Sequence, residues 1–304
     1  MNKNKKPLVS VIIPSYNNAC YLPRAFQSVL NQTYKNLELI IIDNNSTDNS
    51  DEVIRSFNDE RIIYLKIHNK GVIAKSRNAG IRVAKGEWVA FLDSDDWWTH
   101  NKLEICFGHI NEKVDLIYHD LQIVSETFHL FRRVAKSRDL KKPVIIDLLI
   151  NGNAIATSSV MVRSGLLKKI GGMNEDPTMV AAEDYNTWLR IAKITHKFSY
   201  IKKRLGFYRQ HNINTSSQKD MSIQTKNAIA EFVKILKPEQ IRRVEGRLSY
   251  TKGRLNYQFS NYLIARNELM YCILNGALKL KIKAIYMCIM IFLKSNILLH
   301  KNKS

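Results

Sequence analysis

The stretch LVSVIIPSYNNACYLPRAFQSVLNQTYKNLELIIID, residues 8–43, contains two runs rich in Ile and Val, at 8–14 and 37–43, with a helical pattern between them. Both runs are almost continuously apolar, which is typical of strands buried on both faces of a sheet. The same alternation continues with a helical pattern at 48–57, a strand pattern at 61–67, a helical pattern at 73–86 and a strand pattern at 87–93. The sequence therefore predicts βαβ units, a parallel sheet and an α/β fold.

After residue 96 the pattern becomes mixed. We expect a helix at 99–112, a strand at 115–120, a hairpin or irregular region at 121–137, a strand at 156–164, a helix at 183–195 and an extended segment at 198–211. From about residue 218 the apolar residues recur only at helical spacing. The chain is thus predicted to consist of an α/β domain, residues 1–217, and a helical C-terminal region, residues 218–304.

The chain carries a strong positive charge. Its 304 residues include 47 Lys or Arg and 27 Asp or Glu, which gives a formal net charge of +20. Such a charge predicts an anionic partner, whether nucleic acid, acidic lipid or a phosphate-bearing substrate. The basic residues are not interleaved with aromatic residues in the manner of a nucleic-acid-binding module, so we expect no nucleic-acid partner.

The cysteines and the N-terminus both predict a cytoplasmic protein. The four cysteines form no CxxC pair and have no metal-ligand spacing with histidine, so we expect reduced thiols. The apolar run before Pro14 is too short for the hydrophobic core of a signal peptide.

The C-terminal region holds half of the excess positive charge, because from residue 242 onward there are twelve Lys or Arg and two Glu. Within it, the apolar run AIYMCIMIFL, residues 284–293, is about half as long as a membrane-spanning helix requires. Lysines lie on both sides of this run. The pattern predicts a helix in the headgroup plane of an anionic membrane surface, with the protein attached peripherally to the inner face of the cell membrane. The alternative is a helix docked on the α/β domain, with its lysines merely solvated.

Polar clusters follow the four predicted parallel strands: PSYNN, IDNNSTD, HNKG and LDSDD, in chain order. The carboxyl ends of parallel strands meet at one edge of the sheet, so one crevice should collect all four clusters. In the last cluster, Asp95 is our predicted direct ligand for Mn²⁺ or Mg²⁺, with Asp93 and Asp96 beside it, because hard divalent cations prefer such oxygen ligands. A metal there could hold the phosphates of a nucleotide. The alternative is that these aspartates form a turn and cap the next helix.

Ordered motifs between residues 7 and 217 resemble those of the family 2 glycosyltransferases. The matching segments are VSVIIPSYNNACYLPRAFQSVLNQTYKNLELIIIDNNSTDNS, KGVIAKSRNAGIRVAKGEWVAFLDSDDWW, GGMNE with AEDYNTWLRIA, and YRQHNINTS. This family has the GT-A fold, a Rossmann-like and mostly parallel sheet flanked by helices. It includes many inverting bacterial enzymes of surface-polysaccharide and O-antigen synthesis. The resemblance implies that residues 1–217 form a GT-A domain that binds a nucleotide-sugar and carries out catalysis.

The resemblance also implies roles for the polar clusters. Pro14 and Tyr16 would border the uracil base, and Asp43 or Asn44 would bond its imide group. The other contacts to the nucleotide-sugar would come from Arg77, Asp93, Ser94, Arg209 and His211. Arg77 carries a guanidinium fork that matches paired phosphate oxygens, although it could also be an exposed helical arginine.

An inverting transfer needs one general base that takes the proton of the acceptor hydroxyl. Glu183 and Asp184 begin a predicted helix, where the helix dipole favours ionised carboxylates; a capping pair is the alternative. The resemblance makes Asp184 the base, and Glu183 would orient it or contact the acceptor.

Together these features predict an inverting glycosyltransferase that moves a hexose, glucose or galactose, from a UDP-sugar to a lipid-diphosphate-linked saccharide in bacterial surface-polysaccharide synthesis. Lipopolysaccharide core and a teichoic-acid-like polymer are alternative acceptors. A sugar nucleotidyltransferase would need a glycine-rich signature after the first strand, where this chain has PSYNNACYLP. A non-catalytic scaffold of the same fold is the remaining alternative, and the presence of both Asp95 and Asp184 argues against it.

Overall fold

A computed structural model describes residues 6–125, 133–210 and 221–301 of the chain. The strands are β1 Val9–Ser15, β2 Leu37–Asp43, β3 Ile62–Lys66, β4 Trp88–Phe91, β5 Trp97–Trp98, β6 Leu116–Ser125, β7 Val134–Ala135, β8 Met161–Arg163 and β9 Phe198–Gln210. The helices are α1 Leu22–Leu30, α2 Ser50–Ser56, α3 Ile73–Val83, α4 Lys102–Gly108, α5 Val144–Asn151, α6 Ser164–Lys169, α7 Glu183–Ala192, α8 Met221–Ile229, α9 Pro238–Gln258, α10 Tyr262–Asn275 and α11 Leu278–Lys301.

The strands form one sheet in the order β3-β2-β1-β4-β8-β6-β9-β5, with β7 paired to β6. The first four strands of this order are parallel, as the alternating sequence pattern predicts. β8 is antiparallel to β4 and β6, whereas β6 and β9 are parallel to each other. β6 and β7 form the described part of the hairpin expected at residues 121–137. The predicted α/β fold, with its Rossmann-like and mostly parallel sheet, is confirmed.

Successive residues of β1 enter different cores on the two faces of the sheet. Ile12 packs with apolar residues of α3, α5 and α7, whereas Val11 and Ile13 pack with those of α1 and α4. Every residue of β1 and β2 is buried, which explains their continuous apolar runs. A Cβ atom on Gly80 would lie 2.6 Å from Cγ2 of Ile12, so this glycine allows α3 to approach β1 closely.

Three segments differ from the prediction. The helix expected at 99–112 is limited to α4, because the amide of Thr99 instead donates to the carbonyl of Leu205 beside β9. The strand expected at 156–164 is limited to β8, which follows a 3₁₀ turn at Thr157–Ser159. Helix α5 is not predicted, because its short apolar run shows no period that separates a buried helix from a buried strand.

The C-terminal helices continue directly from the core of the α/β part. Ala228, Ile229 and Val244, from α8 and α9, lie in the same apolar cluster as α7. Nδ2 of Asn186 in α7 donates to the carbonyl of Ala228 at 2.9 Å. The predicted boundary near residue 218 lies outside the described residues, so it stays a prediction. α10 and α11 pack together in a cluster of their own. Within the described ranges, no helix combines the length and the apolar character that crossing a membrane requires.

Candidate active site

A crevice is expected where the chain changes direction within the sheet. From β1 the chain continues to β2 and β3 on one side, and then returns to place β4 on the other side of β1. Ligands of open α/β sheets bind at such a switch point, outside the carboxyl ends of the strands. Ser15 and Asp43 end β1 and β2, and Asp93 follows β4. The polar clusters therefore share one edge of the sheet, as the sequence predicts.

Asparagine side chains join the loops of this crevice. Nδ2 of Asn18 donates to Oγ of Ser94 at 2.7 Å, which ties the loop after β1 to the acidic cluster after β4. The backbone amide of Asn17 donates to Oγ of Ser46 at 2.9 Å. The side-chain Oδ1 of Asn17 accepts from the backbone amide of Thr47 at 2.8 Å. Ser94 is buried and its hydroxyl positions the first loop, whereas its contact with the nucleotide-sugar stays a prediction.

Tyr16 is the exposed aromatic residue at this edge. It directly follows β1 and has 54% of its surface exposed. Pro14 is buried within β1, opposite Ile42 of β2. An exposed tyrosine ring can stack on a planar ligand group, and the contact of Tyr16 with the base stays a prediction. Pro14 shapes the strand beneath it.

Asp43 and Asn44 bind the protein's own loops. Asp43 is fully buried, and its carboxylate accepts from both the amide and the hydroxyl of Ser46. Oδ1 of Asn44 accepts from the amide of Asn69 at 2.7 Å, which joins the ends of β2 and β3. The turn after β2 thus engages the carboxylate of Asp43, and its contact with the base stays a prediction. Asn44 is half-buried, and its amide oxygen is already engaged.

The acidic cluster after β4 contains open and buried carboxylates. The side chain of Asp93 is 32% exposed, and Asp95 is also half-buried. Asp96 is only 1% exposed, and its Oδ1 accepts from the backbone amide of Arg209 at 2.9 Å. Burial, together with the charges of Asp95 and Asp93, raises the pKa of Asp96 well above its usual value. Asp96 is thus a buried group that holds β9 against the acidic cluster, and its role as a metal ligand stays a prediction.

The open part of this cluster suits a metal that the nucleotide helps to hold. In the described part of the chain, no group of three or more His, Cys, Asp or Glu side chains could hold a metal ion unaided. Mg²⁺ in nucleotide sites commonly takes one or two carboxylates together with substrate phosphates. Asp93 and Asp95 supply that number of hard oxygen ligands. These residues therefore fit Mn²⁺ or Mg²⁺ bound jointly with a diphosphate.

Arg77 lies buried between two carboxylates. Its Nη1 donates to Oε1 of Glu183 at 2.6 Å, and its Nη2 donates to Oδ1 of Asp93 at 2.7 Å. Burial alone would lower the pKa of Arg77, but the charges of Asp93 and Glu183 outweigh it and raise this pKa above its usual value. The side chain is 4% exposed, which excludes the alternative of an exposed helical arginine. Both ends of the fork are bonded to carboxylates, and the contact of Arg77 with a diphosphate stays a prediction.

Asp184 lies in the first turn of α7. Its Oδ2 accepts from the hydroxyl of Thr157 at 3.0 Å, and its Oδ1 accepts from the amide of Tyr185 at 2.6 Å. Burial, with the charge of Glu183, raises the pKa of Asp184 to about 7, although Arg77 opposes the shift. A carboxyl group with this pKa can exchange a proton efficiently near neutral pH.

The 3₁₀ turn before β8 joins the acidic cluster to α7. Thr157 donates to Asp184, and Oγ of the next residue, Ser158, accepts from the amide of Asp93 at 3.1 Å. Nδ2 of Asn153 also donates to Asp184, at 3.4 Å. Sequence reasoning missed these three polar residues, although the triplet TSS interrupting an apolar strand pattern was a usable signal. This turn therefore joins the backbone of Asp93 to the carboxylate of Asp184.

Arg209 lies near the end of β9 and contacts aromatic rings. Its Cζ lies 4.8 Å from the ring centroid of Tyr21 and 5.4 Å from that of Trp97. The bond from its amide to Asp96 holds this end of β9 against the acidic cluster. His211 lies outside the described residues, so its contact with the donor stays a prediction.

Comparisons with known proteins agree with this geometry. The model for "Glycosyl transferase family 2" matches residues 10–171. A relative from Escherichia coli, named UDP-Glc:alpha-D-GlcNAc-diphosphoundecaprenol beta-1,3-glucosyltransferase WfaP, is 31% identical over 214 residues. That match covers 70% of this chain and 81% of the relative.

Two solved structures share the fold at low sequence identity. S. aureus TarS 1–349 in complex with UDP-GlcNAc superposes with a TM-score of 0.65 at 18% identity, covering 90% of this chain and 82% of that one. The mannosyltransferase PcManGT from Pyrobaculum calidifontis, in complex with GDP-Man and Mn²⁺, gives a TM-score of 0.63 at 17% identity. This match covers 94% of this chain and 81% of the other.

Proposed function

Because this chain belongs to glycosyltransferase family 2, we propose that it transfers a hexose, glucose or galactose, from a UDP-sugar to a lipid-diphosphate-linked saccharide, with inversion. The name of WfaP supports this substrate pair, since it contains both UDP-Glc and a GlcNAc-diphosphoundecaprenol. The reaction would belong to bacterial surface-polysaccharide synthesis, such as that of O-antigen or capsule.

One observation carries the proposal: two adjacent residues link the segments that carry the two acidic groups of an inverting transfer. The hydroxyl of Thr157 donates to the carboxylate of Asp184, and Oγ of Ser158 accepts from the backbone amide of Asp93. Arg77 adds a second connection, because it bonds both Asp93 and Glu183. The carboxylates on the two sides of the cleft are therefore held at a fixed separation by the protein itself. A non-catalytic scaffold would have no need for this arrangement.

Asp184 acts as the general base. The acceptor oxygen attacks the anomeric carbon of the donor sugar while its proton passes to Asp184. On the opposite side of that carbon, the bond to the diphosphate oxygen breaks, and UDP leaves with the electron pair. The pKa of about 7 suits this role, because the group is ionised in a large fraction of molecules at neutral pH yet basic enough to bind the proton. Thr157 and the amide of Tyr185 orient the carboxylate.

Asp93 and Asp95 would hold the divalent metal, Mn²⁺ or Mg²⁺, and Tyr16 would stack on the uracil base. When bound, such an ion neutralises the negative charge that develops on the leaving diphosphate. Glu183 positions the site through its bond to Arg77. Asn18 and Ser94 keep the first loop against the acidic cluster.

A donor screen tests the proposal. We expect UDP release when UDP-glucose or UDP-galactose is supplied with a synthetic alkyl-diphosphate-linked N-acetylglucosamine, and at least about tenfold less with GDP-mannose or with EDTA in place of Mn²⁺. Asp95→Asn should lower the rate, because it removes a metal ligand. Glu60→Gln, which neutralises an exposed carboxylate before β3, should have no effect. Metal-independent release, or release only with a polyol-phosphate polymer as acceptor, would contradict the proposal.

The exposed face of α11 supports attachment to an anionic membrane surface. Ala284 and Ile291 face α10, while the opposite side presents apolar residues at spacings of three and four: Ile282, Ile285, Tyr286, Ile289, Phe292 and Leu293. An exposed apolar area of this kind marks a contact with lipid or with a partner. Lysines of α11 flank this area, as an amphipathic helix in a headgroup layer requires.

Basic residues also lie near the first turn of α11. Arg242, Arg243 and Lys281 line a cavity of about 520 Å³ between α9 and the turn that joins α10 to α11. Leu274 and Leu278 line this cavity too, and both are exposed. Cations beside exposed leucines suit anionic headgroups and their acyl chains. We therefore place the protein peripherally at the inner face of the cell membrane.

Vesicle binding tests this attachment. We expect the protein to sediment with phosphatidylglycerol vesicles, and the double variant Ile289→Ser/Phe292→Ser to bind at least about tenfold more weakly, because it removes two large apolar groups from the exposed face. A matched control, Ile223→Ser/Ile235→Ser, changes two other exposed apolar residues and should bind normally. Equal losses in both double variants, or equal wild-type binding to phosphatidylcholine, would argue against the proposed surface.

A further inference from the structure

Two arginines converge on one tryptophan at the rim of the crevice. Cζ of Arg24 lies 3.5 Å from the ring centroid of Trp97, and Cζ of Arg209 lies 5.4 Å from it. Trp97 is 6% exposed and stacks on Phe207, with ring centroids 4.9 Å apart. Arg209 also contacts the ring of Tyr21. The aromatic rings therefore hold both guanidinium groups in place, and the exposed side chain of Arg24 keeps its N–H edge open to solvent.

The positive charges at this rim reinforce one another. Burial and the neighbouring charge of Arg209 lower the pKa of Arg24, so the two cations lie within electrostatic reach. Arg24 also lies in the first turn of α1, where the helix dipole is positive and no acidic residue is present. Across the described ranges, no carboxylate forms an ion pair with Arg24. Like charges placed together at a helix N-terminus favour the binding of an anion.

This rim is directly connected to the candidate active site. Trp97 follows Asp96 in the chain, and Asp96 accepts from the amide of Arg209. On the other side, Asn18, which precedes α1, donates to Ser94. An anion held between the two arginines would thus lie beside the acidic cluster, outside the bonds that join Arg77 to Asp93 and Glu183.

We propose that Arg24, with the positive charge of Arg209 beside it, binds a phosphate group of the acceptor substrate. The ligand class is a sugar 1-diphosphate that carries an alkyl or polyprenyl chain. The exposed guanidinium of Arg24 presents paired N–H donors that match phosphate oxygens. This inference rests on the proposed function, since it assigns a subsite for the acceptor of that reaction.

The reaction geometry favours the acceptor over the donor as the source of this phosphate. The donor diphosphate is bonded to the carbon that is attacked, so it must lie with Asp93 and Asp95, next to the reacting atoms. In the acceptor, the diphosphate is on C1 and the attacking hydroxyl is on another ring carbon. Its phosphate must therefore lie to one side of the catalytic carboxylates. Arg24 lies over Trp97, the residue that follows Asp96, and so is next to the acidic cluster along the chain.

Steady-state kinetics with two acceptors tests the inference. Wild-type protein should have a KM for alkyl-diphosphate-linked N-acetylglucosamine about 10 to 100 times lower than for the corresponding alkyl glycoside without phosphate, the range expected from a charge-assisted hydrogen bond. Arg24→Gln should raise the KM for the diphosphate acceptor by a similar factor. Its KM for the UDP-sugar, and for the phosphate-free acceptor, should stay unchanged. Arg24→Lys, which keeps the charge but not the fork, should give an intermediate value.

Arg82→Gln is the matched control, because it removes one exposed arginine from the last turn of another helix, α3. It should leave both KM values unchanged. A rise in the KM for the UDP-sugar in Arg24→Gln would place the donor phosphate at this rim and overturn the inference. Unchanged kinetics in Arg24→Gln, or no preference of the wild type for the phosphorylated acceptor, would also overturn it.

Direct binding separates this inference from the proposed function. Calorimetry with an alkyl-diphosphate-linked N-acetylglucosamine, and no donor present, should show binding to wild type and to Arg82→Gln, and at least about tenfold weaker binding to Arg24→Gln. This result would stand even if no sugar nucleotide supported turnover. Equal binding by all three proteins would refute the rim site, whatever the transferase assays show.

Discussion

The variant Asp184→Asn loses transfer activity by a factor of about 10² to 10⁴, the range that a positioned general base contributes. Asparagine keeps the shape of the side chain and can still accept from Thr157, but it cannot take the acceptor proton. We expect this variant to retain donor binding, because Tyr16, Asp93 and Asp95 are unchanged. Single-turnover transfer and equilibrium binding of UDP should be measured on the same preparation.

The pH dependence provides the control for this assignment. The base must be ionised, so kcat/KM of the wild type should fall about tenfold per pH unit below the pKa of about 7 and level off above it.

The same group should make the stability of the protein depend on pH. The pKa of Asp184 in the folded state is raised above the usual value of 3.8, so the folded protein binds more protons than the unfolded chain between about pH 4 and 7. Wild-type stability therefore falls as pH rises through that window. Asp184→Asn removes this loss, so its Tm should exceed that of the wild type at pH 8 but not at pH 4. Activity that survives in Asp184→Asn would exclude Asp184 as the base.

The variant Arg77→Met should be destabilised by about 3–5 kcal/mol, because it leaves the carboxylates of Glu183 and Asp93 without their buried partner. For a chain of this size, we expect a fall in Tm of roughly 6 to 20 °C, measured by scanning calorimetry. Arg55→Met is the control, since Arg55 pairs with Asp51 on the exposed surface of α2 and its loss should leave Tm nearly unchanged.

The double variant Arg77→Met/Glu183→Gln should recover part of this loss, because it also removes one of the unpaired charges. These measurements decide between two roles for Arg77. If it bound the donor diphosphate, as its sequence context predicts, Arg77→Met would raise the KM for the donor and leave Tm unchanged. A normal Tm in Arg77→Met would contradict the structural role.

The strands were predictable because burial on both faces of the sheet requires a continuous run of apolar residues in the sequence. The run at residues 37–43 coincides with β2, and the clusters that follow the strands meet at one edge of the sheet. The hydrogen-bond partners of individual polar side chains are not indicated by any such local pattern. Arg77 and Glu183 are separated by 106 positions in the chain, and only the packing of α7 beside α3 brings them together. A motif predicts which residue types enter a site, whereas tertiary structure decides which of them face the ligand.

Asp43 and Asp96 illustrate the same limit. Both belong to the segments that resemble the family motifs, and both are buried and bonded to the protein's own backbone. Thr157 shows the reverse case, because no motif includes it and yet it contacts the candidate base. It lies in a segment whose apolar neighbours predict a strand, but a 3₁₀ turn directs its hydroxyl to Asp184.

The packing of α7 against α8 has a mechanical consequence. The helix that carries Asp184 at its first turn is bonded through Asn186 to the carbonyl of Ala228, and α9 continues the same core toward α10 and α11. If the last two helices rest on a bilayer, the whole catalytic body is held at a constant height and tilt above the lipid. A substrate whose tail stays in that bilayer would then reach the cleft from one direction only, so the orientation of the protein would limit which hydroxyl of the sugar meets the base.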